Sequence, residues 1–222
     1  MIQGRIPEQE AIIDRDQIED YICLSERLMG YVYQEVVDRA TKLAPLGGRI
    51  LEVGTGFGML AMTLARRNTD VETIGLDVSE QMIEAGRALV ERRGLSKRVS
   101  FEKADAKEMP FPDGFFDAVI SYGSLHHWVE PERVFDEINR VRKSTGMIYV
   151  VDLRRDQPRI PLWLLYLFVR VRAGRRMAGE MVASVNAAYT PPEIEEIMGR
   201  TTITEWQPRH TFYGINIFSG QK

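Results

Sequence analysis

The residues of this chain whose types and spacing most clearly indicate a binding site lie in one short glycine-rich segment. Gly54, Gly56 and Gly58 follow an apolar run, and the acid Glu52 stands two residues before the first of them. Glycines directly after a strand let the backbone turn sharply and let a ligand approach with no Cβ in the way. A predicted helix follows from Met59, and the first N–H groups of a helix have no partner within it. The pattern predicts a nucleotide-type ligand at the end of this strand.

A second acid narrows the kind of nucleotide. Asp77 stands 19 residues after Gly58, at the end of a second apolar run, where a carboxylate can meet the two hydroxyls of an adenosine ribose. Alternatively, Asp77 stabilises the N-terminus of the helix that follows it. The NAD fingerprint would need glycine at position 59, where the chain has Met59. The chain contains no G-x-x-x-x-G-K-[ST] run, which excludes a P-loop nucleoside triphosphatase.

The segment from Glu52 to Gly58 resembles motif I of the class I S-adenosylmethionine-dependent methyltransferases. Over residues 45–155 the resemblance continues in order, and it is greatest for the small-molecule branch with the ubiquinone and menaquinone biosynthesis methyltransferases. The further stretches that carry it are 77–82, 101–106, the P-F-x-D-x-x-F-D passage at 110–117, and 121–128. The family's usual K-P-G-G is replaced by Arg-Lys-Ser-Thr-Gly at 142–146, and the N-terminal signature of the quinone enzymes is absent.

The resemblance implies S-adenosylmethionine as the cofactor and assigns roles along the loop. It implies that the glycine loop wraps the amino-acid end of the cofactor, that Asp77 holds the ribose, and that Asp105 accepts from the adenine amino group. Asp105 could instead simply leave its strand through a polar turn. The residues that it assigns to the cofactor are Glu52, Gly54, Thr55, Gly56, Gly58, Asp77, Val78, Met82, Asp105, Ala106 and Ser121.

Two adjacent histidines, His126 and His127, follow the predicted fourth strand and are the candidate catalytic residues. Methyl transfer is an in-line displacement, in which the enzyme positions the nucleophile and the methyl group. A hydroxyl or protonated amine acceptor also needs a base, and histidine suits that task near neutral pH. The alternative is structural, with one imidazole packed under Trp128 and the other capping a helix. We predict no metal site.

The sequence therefore predicts transfer of a methyl group to a small-molecule acceptor at oxygen, nitrogen or carbon. Ser-Tyr-Gly-Ser stands at 121–124, where methyltransferases of nucleic-acid bases or glutamine have an N-P-P-Y-type stretch, which argues against those substrates. Three alternatives stay open: a non-catalytic cofactor-binding protein, a nicotinamide-dependent oxidoreductase, and a methyltransferase that acts on a lipid or quinone-like substrate at a membrane surface.

Alternating strand and helix patterns predict a Rossmann-like three-layer α/β domain. The resemblance implies a seven-stranded, mostly parallel sheet whose last strand is antiparallel. We expect strand-like runs at 202–206 and 212–218, with a short connection at 207–211 between them. The expected parts of this single domain are an N-terminal helical cap (1–44), a cofactor-binding core (45–155), a helical insertion or lid (156–190), and a C-terminal helix and hairpin (191–222).

Composition sets limits on the partners. The chain has 222 residues, a net charge of −3 and one cysteine, Cys23, and its first residues show no apolar signal-peptide region. A cytoplasmic protein that does not bind nucleic acid is expected. Residues 154–176 nevertheless carry seven arginines against one aspartate, around an apolar run at 160–169. We expect this segment to be a lid packed over the acceptor, because it is apolar all round; the alternative is peripheral membrane contact through 157–176.

Overall fold

A computed structural model describes residues 4–8, 22, 25–26, 30–43, 47–210 and 214–220. The first predicted helix, over residues 14–44, falls partly outside these ranges, and within them a helix begins at Gly30. Cys23 and most of the predicted apolar stripe lie outside the described residues, namely Ile18, Tyr21, Leu28 and Met29.

Strands and helices alternate through the middle of the chain. The helices are α1 (Gly30–Leu43), α2 (Met59–Arg67), α3 (Glu80–Arg92), α4 (Pro131–Val141), α5 (Arg159–Ala187) and α6 (Pro191–Met198), and Leu125–His127 form a 3-10 turn. The strands are β1 (Gly48–Val53), β2 (Val71–Asp77), β3 (Val99–Lys103), β4 (Phe116–Tyr122), β5 (Arg142–Leu153), β6 (Gln207–His210) and β7 (Gly214–Ser219).

The seven strands form one sheet in the order β3-β2-β1-β4-β5-β7-β6. The first five run parallel, and β7 lies antiparallel between β5 and β6. The predicted mostly parallel sheet with an antiparallel last strand is therefore confirmed. The strand order reverses between β1 and β4, and ligands of open α/β sheets bind where the carboxyl ends of two such strands diverge.

Helices cover both faces of the sheet, as the three-layer prediction requires. Neighbouring residues of β1 alternate between the two cores: Ile50 packs with α1, α2 and α3, whereas Leu51 packs with α4 and α6. Both side chains are fully buried. A strand buried on both faces reads as an unbroken apolar run, which is why β1 could be found from the sequence.

Capping residues begin the helices where the sequence predicts. The Ser79 hydroxyl accepts from the backbone N–H of Met82 at the start of α3. Thr190 and Glu193 form a capping box at the start of α6, and Pro131 opens α4. These caps satisfy backbone N–H groups at the first turns of α3 and α6.

The predicted strand at 202–206 is wrong. Thr202 lies in a bend, where its N–H and hydroxyl both donate to Asp136 on α4, at 2.7 and 2.9 Å. The strand is formed by Gln207–His210, the segment that we expected to be a connection. β-Branched residues favour strands only where a neighbouring strand is available, and here Asp136 takes the backbone N–H instead. Pro208 is tolerated in β6 because this strand lies at the edge of the sheet.

The helical insertion differs from expectation in its exposure. Helix α5 is broken at Gly174, whose φ of +87° and ψ of 176° are available almost only to glycine. We expected the apolar run before this break to be buried against protein, but one of its faces is exposed to solvent. Among the residues that the structure describes, no helix combines the length and the apolar character needed to cross a membrane.

Candidate functional site

The glycine loop lies at the point where β1 and β4 diverge. Gly54 has a φ of +69°, and a Cβ built there would lie 2.2 Å from the Ser124 hydroxyl oxygen. Gly56 has a φ of +54°, and no atom lies within 4 Å of a Cβ built on it. Gly54 is therefore needed for close packing below the loop, whereas Gly56 borders open space on the side where a ligand can approach.

A buried carboxyl group holds this loop to the helix behind it. Glu52 is 3% exposed, and its Oε2 accepts from the Thr55 hydroxyl at 2.7 Å and from the Ala61 N–H at 2.8 Å. Burial raises the pKa of Glu52 to about 8, although both hydrogen bonds act to lower it. Glu52 therefore joins the end of β1, the turn at Thr55 and the first turn of α2.

Asp77 reaches the loop from the end of β2. Its Oδ2 accepts from the Gly56 N–H at 2.7 Å, and its Oδ1 accepts from the Ser79 N–H at 2.9 Å. Burial raises the pKa of Asp77, against the effect of these backbone hydrogen bonds. The acid predicted for ribose binding thus lies directly beside the loop, at the edge of the sheet formed by the carboxyl ends of the parallel strands.

A cavity of about 80 Å³ opens beside the loop. Four of the predicted cofactor residues line it: Glu52, Gly54, Thr55 and Gly56. Sequence reasoning missed the rest of its wall, which consists of Tyr33, Phe57, Met59, Leu60, Tyr122 and Gly123.

Two tyrosines in this wall come from distant parts of the chain. The rings of Tyr33 on α1 and Tyr122 at the end of β4 meet edge to face, with centroids 5.5 Å apart. Tyr122 could have been found from the sequence, because it ends a strand at the same edge as the loop. Tyr33 could not, since nothing local places α1 over the loop.

Gly58 lies at the N-cap of α2. Val78, Met82, Asp105 and Ala106 lie beyond the cavity wall, past the ends of β2 and β3. Val78 is about half exposed and Met82 is buried. The Asp105 Oδ1 accepts from the Lys107 N–H at 2.8 Å, so Asp105 forms the polar turn that we gave as its alternative. Its side chain is 55% exposed, and the neighbouring Ala106 is partly buried.

Ser121 lies under the loop, away from the cavity. It is fully buried, and its hydroxyl donates to the Val53 carbonyl at 2.8 Å. Ser124 next to it accepts from the Trp128 ring N–H at 2.9 Å. The bond from Ser121 joins β4 to the end of β1, so Ser121 supports the switch point and does not line the cavity.

His126 is held by an acid that sequence reasoning missed. Its Nδ1 lies 2.8 Å from Oδ1 of Asp152, and its backbone N–H donates to Oδ2 of the same carboxylate at 2.7 Å. Burial alone would lower the pKa of His126, but Asp152 and Glu8 together raise it above its ordinary value. Asp152 stands near the carboxyl end of β5, and that position at the ligand-binding edge was an available signal.

His127 lies beside it with the opposite electrostatic character. Burial, followed by the charge of His126, lowers the pKa of His127 to about 4. Its Nδ1 lies 4.0 Å from Oε2 of Glu8, beyond hydrogen-bonding distance. His127 is therefore neutral near pH 7 and is a much weaker base than His126.

The segment 4–8 crosses the two histidines. Glu8 Oε2 lies 3.7 Å from His126 Nε2 and accepts from the Ser184 hydroxyl at 3.1 Å. Arg5 donates to the carbonyl oxygens of His126 and Ala187, at 2.9 and 2.7 Å. The candidate acceptor side of the site is thus closed by this segment and by the second half of α5.

The ligand atoms of Glu8, His126 and His127 lie within 4.8 Å of one another, a spacing at which a metal ion could be bound. The positive charge of Arg5 acts on both histidines and lowers the pKa of each. Arg5 therefore opposes any added positive charge in the cluster, a metal ion and a proton alike, and the carboxylates of Glu8 and Asp152 offset this effect at His126.

A larger concavity, of about 210 Å³, lies at the opposite edge of the sheet, between Asn139, Arg142, Thr202 and Gly220. It contains none of the predicted site residues. Since ligands of open α/β sheets bind at the carboxyl edge, we place the site at the smaller cavity.

Comparison with known proteins agrees with this location. Residues 51–150 match a family model described as a methyltransferase domain. Residues 51–150 of the chain are thus similar to this domain. The predicted family resemblance is therefore confirmed, over a range that includes the glycine loop, Asp77 and both histidines but ends before Asp152.

One curated relative is the ubiquinone/menaquinone biosynthesis C-methyltransferase UbiE of Geobacter sp. (strain M21). It is 32% identical over 156 residues, which cover 69% of this chain and 65% of the relative. The chain thus spans slightly less than two thirds of that protein's length.

Two solved structures share the fold. A SAM-dependent methyltransferase from Aquifex aeolicus superposes with a TM-score of 0.68 and 18% identity, covering 92% of this chain and 97% of that chain. The 4+2 cyclase SpnF superposes with a TM-score of 0.59 and 20% identity, covering 97% of both chains. Since proteins named for different reactions share this fold, the fold alone does not determine the reaction.

Proposed function

We propose that this protein transfers the methyl group of S-adenosylmethionine to a small-molecule acceptor at oxygen, nitrogen or carbon. The observation that carries the proposal is the pairing of the glycine loop with Asp77 at the sheet's switch point. The methyltransferase-domain match over residues 51–150 supports it. When bound, the cofactor supplies an electrophilic methyl group on a sulfonium.

The residues around the loop fit such a cofactor. Each carboxylate oxygen of Asp77 accepts one backbone N–H and retains a second lone pair, so Asp77 can also accept from ribose hydroxyls. The open side of Gly56 and the cavity under Tyr33 and Tyr122 receive the amino-acid end. The adenine end lies toward Val78, Met82, Asp105 and Ala106, whose cofactor contacts remain predictions.

His126 is the proposed general base for an acceptor that carries a proton. Asp152 holds Nδ1, which leaves Nε2 as the atom that takes the proton. Asp152 and Glu8 then stabilise the imidazolium that forms. Because Glu8 lies 3.7 Å from Nε2, its side chain has to move aside for an acceptor to reach that atom. His127 is assigned a packing role beside the acceptor.

Calorimetry with S-adenosylhomocysteine and with NAD tests the cofactor assignment. We expect binding of S-adenosylhomocysteine alone, and about tenfold weaker binding by Asp77→Asn, which loses a charge-assisted hydrogen bond. Asp70→Asn is the matched control, because Asp70 is exposed in the turn just before the opposite end of the same strand. Binding of NAD without S-adenosylhomocysteine would overturn the assignment.

Radiolabelled methyl transfer into fractionated extract tests the activity. We expect label in a small-molecule fraction, and His126→Ala should reduce the rate about a hundredfold or more while binding S-adenosylhomocysteine normally. If the protein binds the cofactor but labels no fraction, it is a non-catalytic binding protein. Label in nucleic acid would contradict the predicted acceptor class. A cytoplasmic location, predicted from the sequence, accompanies this proposal.

A further inference from the structure

The first half of α5 presents an exposed apolar stripe. We call residues 159–173, before the break at Gly174, the amphipathic arm. Six large apolar side chains on it are 43% to 75% exposed: Ile160, Trp163, Leu164, Leu167, Phe168 and Val171. Offsets of 3, 4, 7, 8 and 11 residues from the first member place all six on one helical face. Scattered apolar residues are normal on a surface, but a continuous patch of this kind marks an interaction site.

The charges around the stripe have one sign. Arg170 and Arg172 on the arm are exposed, and so are Arg175 and Arg176 just beyond Gly174. The Arg172 guanidinium lies 5.7 Å from the centre of the Phe168 ring, so this cation stands at the margin of the stripe. The sequence has no aspartate or glutamate between Asp156 and Glu180. Glu180, beyond the arm, lies 3.8 Å from Arg176, and within the part of the chain that the structure describes no carboxylate forms an ion pair with Arg170 or Arg172.

The rest of the helix is anchored to the protein. Beyond Gly174, Ala178, Val185 and Ala187 are buried, and this second half of α5 contacts the 3-10 turn that carries His126. The arm is therefore attached through a half-helix that buries a few of its residues, while the apolar face of the arm itself remains exposed.

An anionic bilayer matches the arm better than the other possible occupants do. A surface with an apolar interior and negative head groups satisfies both the stripe and its arginines at once, as in helices that lie in a membrane interface. A second copy of the chain packed symmetrically on the stripe would bring like arginines together. The rest of this protein does not bury the stripe, since its six apolar side chains are exposed.

We propose that the amphipathic arm docks this protein on an anionic lipid surface, with the stripe inserted at the level of the head groups and the arginines paired with lipid phosphates. This docking does not depend on the proposed methyl transfer, because no residue of the arm lines the cavity at the glycine loop or belongs to the histidine cluster. It can therefore be correct or wrong whatever the chemistry of the glycine loop.

Co-sedimentation with vesicles tests the apolar part. The full chain should bind vesicles that contain phosphatidylglycerol, and bind phosphatidylcholine vesicles at least about tenfold more weakly. The double variant Leu164→Asp and Phe168→Asp should lose about tenfold or more of the binding, because the inserted face becomes charged. Val129→Asp is the control, since Val129 is an 80% exposed apolar residue that lies off the arm.

A charge-reversal pair tests the cationic part. Each basic residue near an anionic surface contributes about 1 kcal/mol, a factor of about five, so Arg170→Glu with Arg172→Glu should weaken binding about 25-fold or more. Arg133→Glu with Arg200→Glu changes the net charge equally at two arginines whose side chains are 60% exposed elsewhere on the surface. That control should retain most of the binding, and circular dichroism should show that all variants are folded.

These experiments distinguish a lipid surface from a second copy of the chain as the partner of the stripe. Selective binding that the arm variants lose and the controls keep supports membrane docking. No binding to anionic vesicles, or equal binding by arm and control variants, overturns it. A dimer in sedimentation velocity that Leu164→Asp with Phe168→Asp dissociates, together with no vesicle binding, would instead assign the stripe to self-association.

Discussion

The two halves of the candidate site are constructed differently. The glycine-loop half is formed mainly by one short segment, Glu52 to Gly58. Its residues are positioned mainly by their backbone conformation. In the histidine half, Glu8, His126 and Asp152 come from three separate parts of the chain and meet mainly through their side chains, with one bond from the His126 backbone N–H. The first half therefore depends on local stereochemistry, and the second depends on the complete tertiary fold.

The largest effect is expected from a methyl group added inside the loop. In Gly54→Ala, the new Cβ would lie 2.2 Å from the Ser124 hydroxyl oxygen and 2.4 Å from its Cβ, at a φ of +69°. Both the overlap and the left-handed backbone are unfavourable, so we expect a loss of more than about 3 kcal/mol in the free energy of unfolding, measured by urea denaturation.

Gly56→Ala is the matched control for this prediction. It has a similar φ, +54°, but nothing within 4 Å of the added Cβ, so it should cost only about 1–2 kcal/mol. If the two variants are equally stable, backbone conformation and not packing against Ser124 determines the loop, and the close approach to β4 has no energetic importance.

The next effect tests the histidine half. Asp152→Asn removes the negative charge that counteracts the burial of His126, so the pKa of His126 should fall. His126 must be neutral to act as a base, and the acid limb of kcat/KM should therefore move to lower pH. We also expect turnover to fall about tenfold or more, because the imidazolium loses its stabilising carboxylate, while the affinity for S-adenosylhomocysteine stays unchanged.

His127→Ala provides the comparison within the same turn. Since the pKa of His127 is about 4, this residue is not the group that titrates near neutral pH, and its removal should leave the position of the acid limb close to the original. A limb that disappears in His127→Ala and persists in Asp152→Asn would reverse the proposed roles of the two histidines.

The contrast between the halves also explains what could be predicted from the sequence. β1, the glycine loop and the Ser79 cap follow from local rules, because a buried strand, a positive φ and an N-cap each leave a signature within a few residues. Asp77 could be placed because the spacing between consecutive strands in such folds varies little.

Contacts between distant segments could not be predicted in this way. Nothing around Tyr33 indicates that α1 covers the loop, and nothing around Glu8 indicates that it approaches His126. The misplaced strand at 202–206 has the same cause, since a partner on α4, Asp136, overrides the local preference of Thr202. The exposure of the amphipathic arm was also missed, because the apolar run alone does not show which face the protein covers.

In the glycine-loop half, the pH dependence of thermal stability tests whether the buried Glu52 carboxyl group is protonated in the folded protein. Burial raises the pKa of Glu52 to about 8, so the folded protein binds this proton more tightly than the unfolded chain does. Glu52 therefore lowers stability as pH rises from about 4.5 toward 8, and Glu52→Gln, which keeps an oxygen acceptor for Thr55 and Ala61, should not. We expect the Tm of the variant to rise relative to that of the unaltered protein by about 7 °C or more between pH 5 and pH 8. Glu72→Gln, at an exposed position on β2, should show no such gain in thermal melts. A constant difference in Tm across this range would mean that Glu52 is already ionised in the folded protein, as a residue binding a cationic ligand group would be.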